Sequence, residues 1–155
     1  MIDSKDREIV SILLSDASTS KAEIARRVGL AASAIAERIR RLEADGVVRG
    51  YHAEVDPTSL GKGLLAFVFV TDAKPTTGFD TAGALGDVTG LEELHKIAGD
   101  DCYLLKIRVA DTGELYSILE REISPIESVV SVRTTIVLRS IVEQVPMARL
   151  GRVDE

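Results

Sequence analysis

The sequence predicts an α+β chain: an N-terminal helix-turn-helix domain of winged-helix-like type, then a ferredoxin-like βαββαβ domain. Three observations predict it. Through residue 46 the apolar residues recur at helical spacing, broken by a turn centred on Gly29. From Val47 the period changes to two. After residue 63 the segments run strand, helix, strand, strand, helix, strand, the order of the split βαβ arrangement. The expected boundaries are 1–50 for the helical domain, 51–63 for a strand linker and 64–155 for the sheet domain.

The first helix is expected from Ser4 to Leu14, with Ile9, Ile12 and Leu13 on one face. "DASTS" (Asp16–Ser20) is loop chemistry. The second helix starts at Ser20, where "SKAE" reads as a capping box between Ser20 and Glu23. Ile24, Ala25 and Val28 form its buried side, and Gly29 supplies a left-handed stop. The third helix is expected over Ala32–Ala44, with Ile35, Ile39 and Leu42 on one face and Gly46 beyond its end. Small Ala25 lets the second and third helices approach closely, and Gly29 makes the sharp turn. Together they read as a helix-turn-helix, although the same spacing would suit an ordinary helical hairpin.

"VVRGYHAEVD" (Val47–Asp56) has the alternation of a strand, and "DPTSLGKG" (Asp56–Gly63) that of a linker with turn residues. "LLAFVFVTDA" from Leu64 reads as a buried strand. "FDTAGALGDV" (Phe79–Val88) reads as a weak helix, and "LEELHKIAG" (Leu91–Gly99) as a strand. In "CYLLKIRVAD" Leu105, Ile107 and Val109 alternate with Lys106 and Arg108, a half-buried strand. Asp111 and Glu114 open a second capped helix, whose stripe is Leu115, Ile118 and Leu119. A long last strand is expected from Val129 to Val145. Such a sheet has helices on one face only. Its bare, partly apolar face predicts a homodimer made sheet against sheet.

The chain has 155 residues, 45% hydrophobic and 28% charged, with no Trp and a single Cys, Cys102. One cysteine excludes an internal disulfide framework and suits a reducing compartment. "MIDSKDREIV" lacks an apolar signal core, and no apolar run has the length of a membrane span, so a cytoplasmic protein without membrane contact is expected. The formal net charge is -6, but it is unevenly spread. Residues 1–50 hold nine basic and eight acidic residues; residues 51–155 hold ten and seventeen. Within residues 20–50 the count is seven against four. Salt screens charges beyond ~8–10 Å, so a local cationic helix on an acidic body can still hold phosphates.

A recognition helix presents its N-terminal residues to base edges, with cations around it on phosphates. By position Ala32, Ser33, Ala36 and Glu37 should face bases, while Lys21, Arg38, Arg40 and Arg41 should hold phosphates of double-stranded DNA. The competing reading is a solvated helix face, with Arg40 tied to Glu43 three residues on.

"DREIVSILLSDAS", "EIARRVGL", "IAERIRRLEADGVVRGYHAEVDPTSLG", "AGDDCYLLKIRVAD" and "RTTIVL" together resemble the Lrp/AsnC (feast/famine) family of transcription regulators, over essentially the whole chain. Two positions depart from the family pattern. Ala31 stands where the family usually has a capping Ser, which leaves Ser33 or no side chain to cap the third helix. Ser18 stands where the family often has Arg. The resemblance implies that the loop "AGDDCY" binds an amino acid, in clefts between subunits of an assembly that commonly reaches an octamer. Ala98, Gly99, Asp100, Asp101 and Tyr103, with Thr134 and Thr135 of the last strand, are the residues it implies. An aspartate there suits an ammonium, and amides beside Gly99 suit a carboxylate. A plain Gly-Asp turn is the alternative.

No cofactor or metal site is expected. His52, His95 and Cys102 have no ligand spacing, "GKG" (Gly61–Gly63) is not a phosphate loop, and no catalytic set is evident, so an enzyme is not expected. The leading reading is an amino-acid-responsive DNA-binding regulator. The alternative is a sensor module that acts on a metabolic enzyme through protein contact.

Overall fold

The computed structural model of the chain describes residues 2–73 and 80–143. They fall into two units, one of residues 2–54 with 141–143 and one over Val55–Ser140. The first holds three helices: α1 (Ser4–Ser15), α2 (Lys21–Val28) and α3 (Ala32–Ala44). Each begins as its local chemistry allows. Asp3 caps α1 through a reciprocal box: its carboxylate accepts from the Asp6 amide, and the Asp6 carboxylate accepts from the Asp3 amide. Ser20 caps α2 by accepting from the Glu23 amide at 3.2 Å, but the expected return arm is missing, because Glu23 turns to Arg26 and Arg27 instead. Ala31 caps α3 with no side-chain bond, and Ser33 does not replace it.

The core of this unit is aliphatic: Ile9, Ile24, Ala25, Val28, Ile35, Ile39 and Leu42 are buried. Ala25, at 7% exposure, belongs to this core. Burial of each large aliphatic side chain contributes about 1.5–3 kcal/mol. Gly29 ends α2 at φ 74°, the left-handed conformation that costs glycine least.

The strand expected over Val47–Asp56 is not there. The amides of Val47 and Val48 both donate to the Leu42 carbonyl and close the end of α3. The residues that follow meet no ladder partner among the described residues. Asp56 then caps a 3-10 turn, Pro57–Leu60, by accepting from the amides of Thr58 and Ser59.

The second unit contains β1 (Leu64–Asp72), α4 (Thr81–Gly86), β2 (Leu91–Lys96), β3 (Tyr103–Val109), α5 (Thr112–Ile118) and β4 (Val129–Ile136). The antiparallel sheet has the order β2-β3-β1-β4. This is the expected ferredoxin-like arrangement. One face packs on the helices: Ala66, Val68, Val70, Tyr103, Leu105, Ile107 and Val109 meet Leu85, Leu115, Ile118 and Ile123 in one core. The register puts Phe67 beside Lys106 and Thr135, and Phe69 beside Leu104 and Arg133, on the other face. Lys106 and Arg108 pair there with Glu92 and Glu93.

Several element limits differ from expectation. The weak helix is one short run capped by Asp80, and Phe79 lies outside the described residues. Asp111 caps α5 through the Glu114 amide, while the Glu114 carboxylate accepts from the Ala110 amide rather than from the cap. α5 continues into a π turn, Leu119–Ile123. The last strand stops at Ile136, not Val145. Its final ladder bond, from the Val137 amide to the Leu65 carbonyl, falls where β1 itself begins. Residues 144–155 lie outside the described residues.

Candidate nucleic-acid interface and effector loop

α2, the turn Gly29–Ala31 and α3 make the helix-turn-helix. The amides of Gly29 and Leu30 both donate to the Ala25 carbonyl, so the chain reverses within three residues. α3 then lays Ile35, Ile39 and Leu42 into the core. Ala32, Ser33 and Glu37 are exposed on its opposite side, and Ala36 is partly covered.

The cations of this motif are not idle. Arg26 and Arg27 both bind Glu23, whose carboxyl these hydrogen bonds depress to about 2. Arg40 pairs with Glu37 at 2.6 Å, not with Glu43, which accepts from the Tyr51 hydroxyl. Arg38 binds Asp3 at 2.6 Å and Asp6 at 2.7 Å, and Arg41 reaches Asp6 at 3.0 Å. Lys21, at the start of α2, has no ion-pair partner among the described residues. The Asp6 side chain is 3% exposed. Burial opposes its ionisation, but the hydrogen bonds from Arg38 and the Asp3 amide outweigh that and hold the carboxyl below the usual range. The Asp3 carboxyl is lowered too, chiefly by the Asp6 amide and then by Arg38. Neither aspartate was singled out by sequence reasoning. The signal was present as D-x-x-D ahead of an apolar run.

The second candidate site is the β2–β3 connection. Ile97 and Cys102 close it by an amide-to-carbonyl bond of 2.9 Å, and Gly99 takes φ 138°. Ala98, Gly99 and Asp100 are exposed. Asp100 and Asp101 sit in this turn. Asp101 accepts from Arg133 at 2.6 Å and from the Thr71 hydroxyl at 3.5 Å. Arg133 in turn lies 3.9 Å over the Phe69 ring. The other residues of this set are divided between the two faces of the sheet. Tyr103, 6% exposed, and Thr134, opposite Val68, face the helices; Thr135, opposite Phe67, faces away. Arg133, which contacts Asp101, carried no signal in the sequence. His95 rests on Glu93 at 3.0 Å, and no group that could hold a metal occurs among the described residues. No described helix is long and apolar enough to cross a membrane.

A short-turn helix pair with small residues at the head of its second helix, followed by a one-faced βαββαβ sheet, defines a regulator class: a duplex reader joined to a ligand-binding domain. The comparisons agree. Residues 2–49 match the winged helix-turn-helix DNA-binding family, and residues 65–147 match the Lrp/AsnC ligand binding domain. The chain is 37% identical over 141 residues to the HTH-type transcriptional regulator LrpA of Mycobacterium tuberculosis, covering 90% of this chain and 91% of that protein. It is 33% identical to the leucine-responsive regulatory protein of Escherichia coli, covering 90% and 87%. The feast or famine regulatory protein of M. tuberculosis, solved with L-methionine, superposes with a TM-score of 0.86 at 36% identity, covering 92% of this chain and 96% of that one. The chain belongs to the Lrp/AsnC family of transcriptional regulators, and its relatives are named as regulators, not enzymes.

Proposed function

We propose that this DNA-binding regulator inserts the start of α3 into the major groove and answers to an amino acid held at the β2–β3 loop. The observation that carries the reading is the exposed head of α3, where Ala32, Ser33 and Glu37 stand clear of the core, with Arg40 paired to Glu37 and Lys21 exposed at the start of α2. Ala offers contact to a thymine methyl, Ser donates or accepts, and Glu accepts from cytosine N4. Small side chains give few base hydrogen bonds, so specificity is modest and depends on DNA shape. Lys21 grips phosphate, Arg40 does so as far as Glu37 releases it, and Arg38 and Arg41 as far as Asp3 and Asp6 release them.

The chain acts as a homodimer through the bare sheet face. Half-buried Phe67, Phe69 and Leu104 there support a second copy as the cover. Two copies would present their α3 helices ~34 Å apart and select a pseudo-palindromic site. Further assembly to an octamer follows the family resemblance, and action in the cytoplasm follows the single cysteine and the lack of an apolar signal core.

For the effector, Asp100 is the carboxylate left for an ammonium, since Asp101 is held by Arg133. The amides around Gly99 suit the carboxylate, and Thr135 lies on the outward face. Tyr103 and Thr134 act from the helix side, as support. The M. tuberculosis relative solved with L-methionine favours an amino acid as the ligand class.

Filter binding to the chain's own upstream DNA across a salt series tests the first half. Lys21→Ala with Arg40→Ala should weaken binding to all sequences and flatten the salt slope by about 2; unchanged affinity refutes the placement. Thermal shift against the twenty amino acids tests the second. A ligand at about 100 times its Kd stabilises by about 2.7 kcal/mol, and Asp100→Asn should remove the shift. No shift by any of the twenty refutes the effector reading.

A further inference from the structure

Between residues 21 and 44 every arginine has an acidic partner, but only two share a buried one. The Asp6 carboxylate is saturated. One oxygen accepts from Arg38 at 2.7 Å and from Arg41 at 3.3 Å; the other accepts from Arg41 at 3.0 Å and from the Asp3 amide at 3.2 Å. Asp3 adds a second carboxylate to Arg38 at 2.6 Å. The two arginines differ in freedom: the Arg38 side chain is 26% exposed and Arg41 54%. The acidic pair belongs to α1, outside the helix-turn-helix itself.

We propose that Asp6, assisted by Asp3, is a positioning residue for the duplex contact: it clasps the Arg38 and Arg41 guanidiniums, so that the charge α3 offers to phosphate is set by competition between α1 carboxylates and the DNA backbone. This rests on the placement of α3 at the duplex. Two cations meet two carboxylates here, so the cluster is neutral and adds little to the sequence-independent attraction that dominates non-specific binding. Arg41 bonds Asp6 through one terminal nitrogen, which leaves its other N–H groups to reach a phosphate while Asp6 still orients the side chain. Arg38, held by two carboxylates and mostly covered, stays put. The clasp thereby lowers grip on arbitrary DNA and leaves discrimination to base edges and shape.

The experiment is filter binding of the full chain to random-sequence duplex and to its own upstream DNA, from about 50 to about 200 mM salt. Asp6→Asn keeps the side chain's size and an acceptor oxygen but removes its charge. The expected result is tighter binding to random duplex and a salt slope steeper by about 1–2, which is an additional spread of roughly 3.5-fold per released cation across that range. The ratio of specific to random affinity should fall. A purely structural role for Asp6 would lower thermal stability and leave the slope alone, and a folded variant with that behaviour overturns the proposal. The same substitution made in an Arg38→Gln, Arg41→Gln background should leave the slope unmoved; equal steepening there also overturns it. Should Asp6→Asn not fold, Asp3→Asn carries the test, because Asn caps a helix as well as Asp does. It should steepen the slope in the same direction, and an unchanged slope refutes the clasp. A wild-type chain that ignores duplex at low salt refutes the placement of α3 instead, before any variant is compared.

Discussion

Ala31→Ser should stabilise α3, and the structure lets the size of the effect be worked out. Ala31 has φ -66° and ψ 146°; Ser20, which caps α2 with its hydroxyl, has φ -65° and ψ 148°. The backbone is thus already in capping geometry, and the Ile35 amide already donates to the Ala31 carbonyl at 3.1 Å. A serine there needs no rearrangement to offer its oxygen to the Ala34 amide, as Ser20 does to Glu23. Ala31 is exposed, so the change adds no buried polar atom. The expected gain is about 1 kcal/mol, which is a roughly fivefold change in an equilibrium constant. Amide hydrogen exchange is the assay: the Ala34 amide should exchange about fivefold more slowly in the variant, if local fraying of α3 governs it. The reciprocal change, Ser20→Ala, should cost a similar amount at α2. Unchanged exchange at Ala34, with Ser20→Ala behaving as expected, would refute the claim that α3 lacks only a side-chain cap.

Gly90→Ala should fail to fold or lose several kcal/mol: Gly90 has φ 73°, and an added Cβ would sit 2.5 Å from the Arg108 carbonyl oxygen. Gly29→Ala, with φ 74° and nothing within 4 Å of the new Cβ, should cost only the backbone strain, about 1 kcal/mol by thermal melt. Leu105→Ala empties a fully buried site of the sheet core and should cost about 2–5 kcal/mol in denaturant unfolding. Acid should loosen the helical unit from its carboxylates. Glu23, at about 2 against an ordinary 4.5, binds fewer protons folded than unfolded, so its contribution is present above pH 4.5 and is lost as pH falls towards 2. Asp3 and Asp6, also lowered, act with the same sign, and helical circular dichroism down an acid titration reads the loss. In Glu23→Gln that part of the acid sensitivity should disappear.

Helix starts and core faces were legible because they are local. Ser20, Gly29, Ile35, Ile39 and Leu42 occupy the roles their spacing predicts. The order of the sheet was legible because its alternating segments are long and their turns well marked. What failed was non-local. Val47–Asp56 has real alternation, but a strand needs a partner, and no described segment of this chain supplies one. The last strand remains rich in β-branched residues beyond Ile136, yet its ladder ends where β1 runs out. The same holds at the candidate sites. Helical spacing places Arg38 and Arg41 near the surface, but nothing local to α3 reveals carboxylates more than thirty positions earlier in the chain. Adjacent Thr134 and Thr135 look like a pair in sequence and are parted by the pleat. Asp101 looks free in a Gly-Asp turn and is held by an arginine from a strand two places across the sheet.

β1 lies between β3 and β4, so the first strand of the sheet to be synthesised closes its ladder only with the last. The three helices depend on neighbours close in sequence, whereas the sheet must close a loop spanning its whole unit, and such closure is slow. During synthesis the three N-terminal helices can therefore assemble while the ligand-binding half is still an open hairpin with a vacant edge. For a nascent chain of this kind, the helical half takes shape before the sheet that closes the other half.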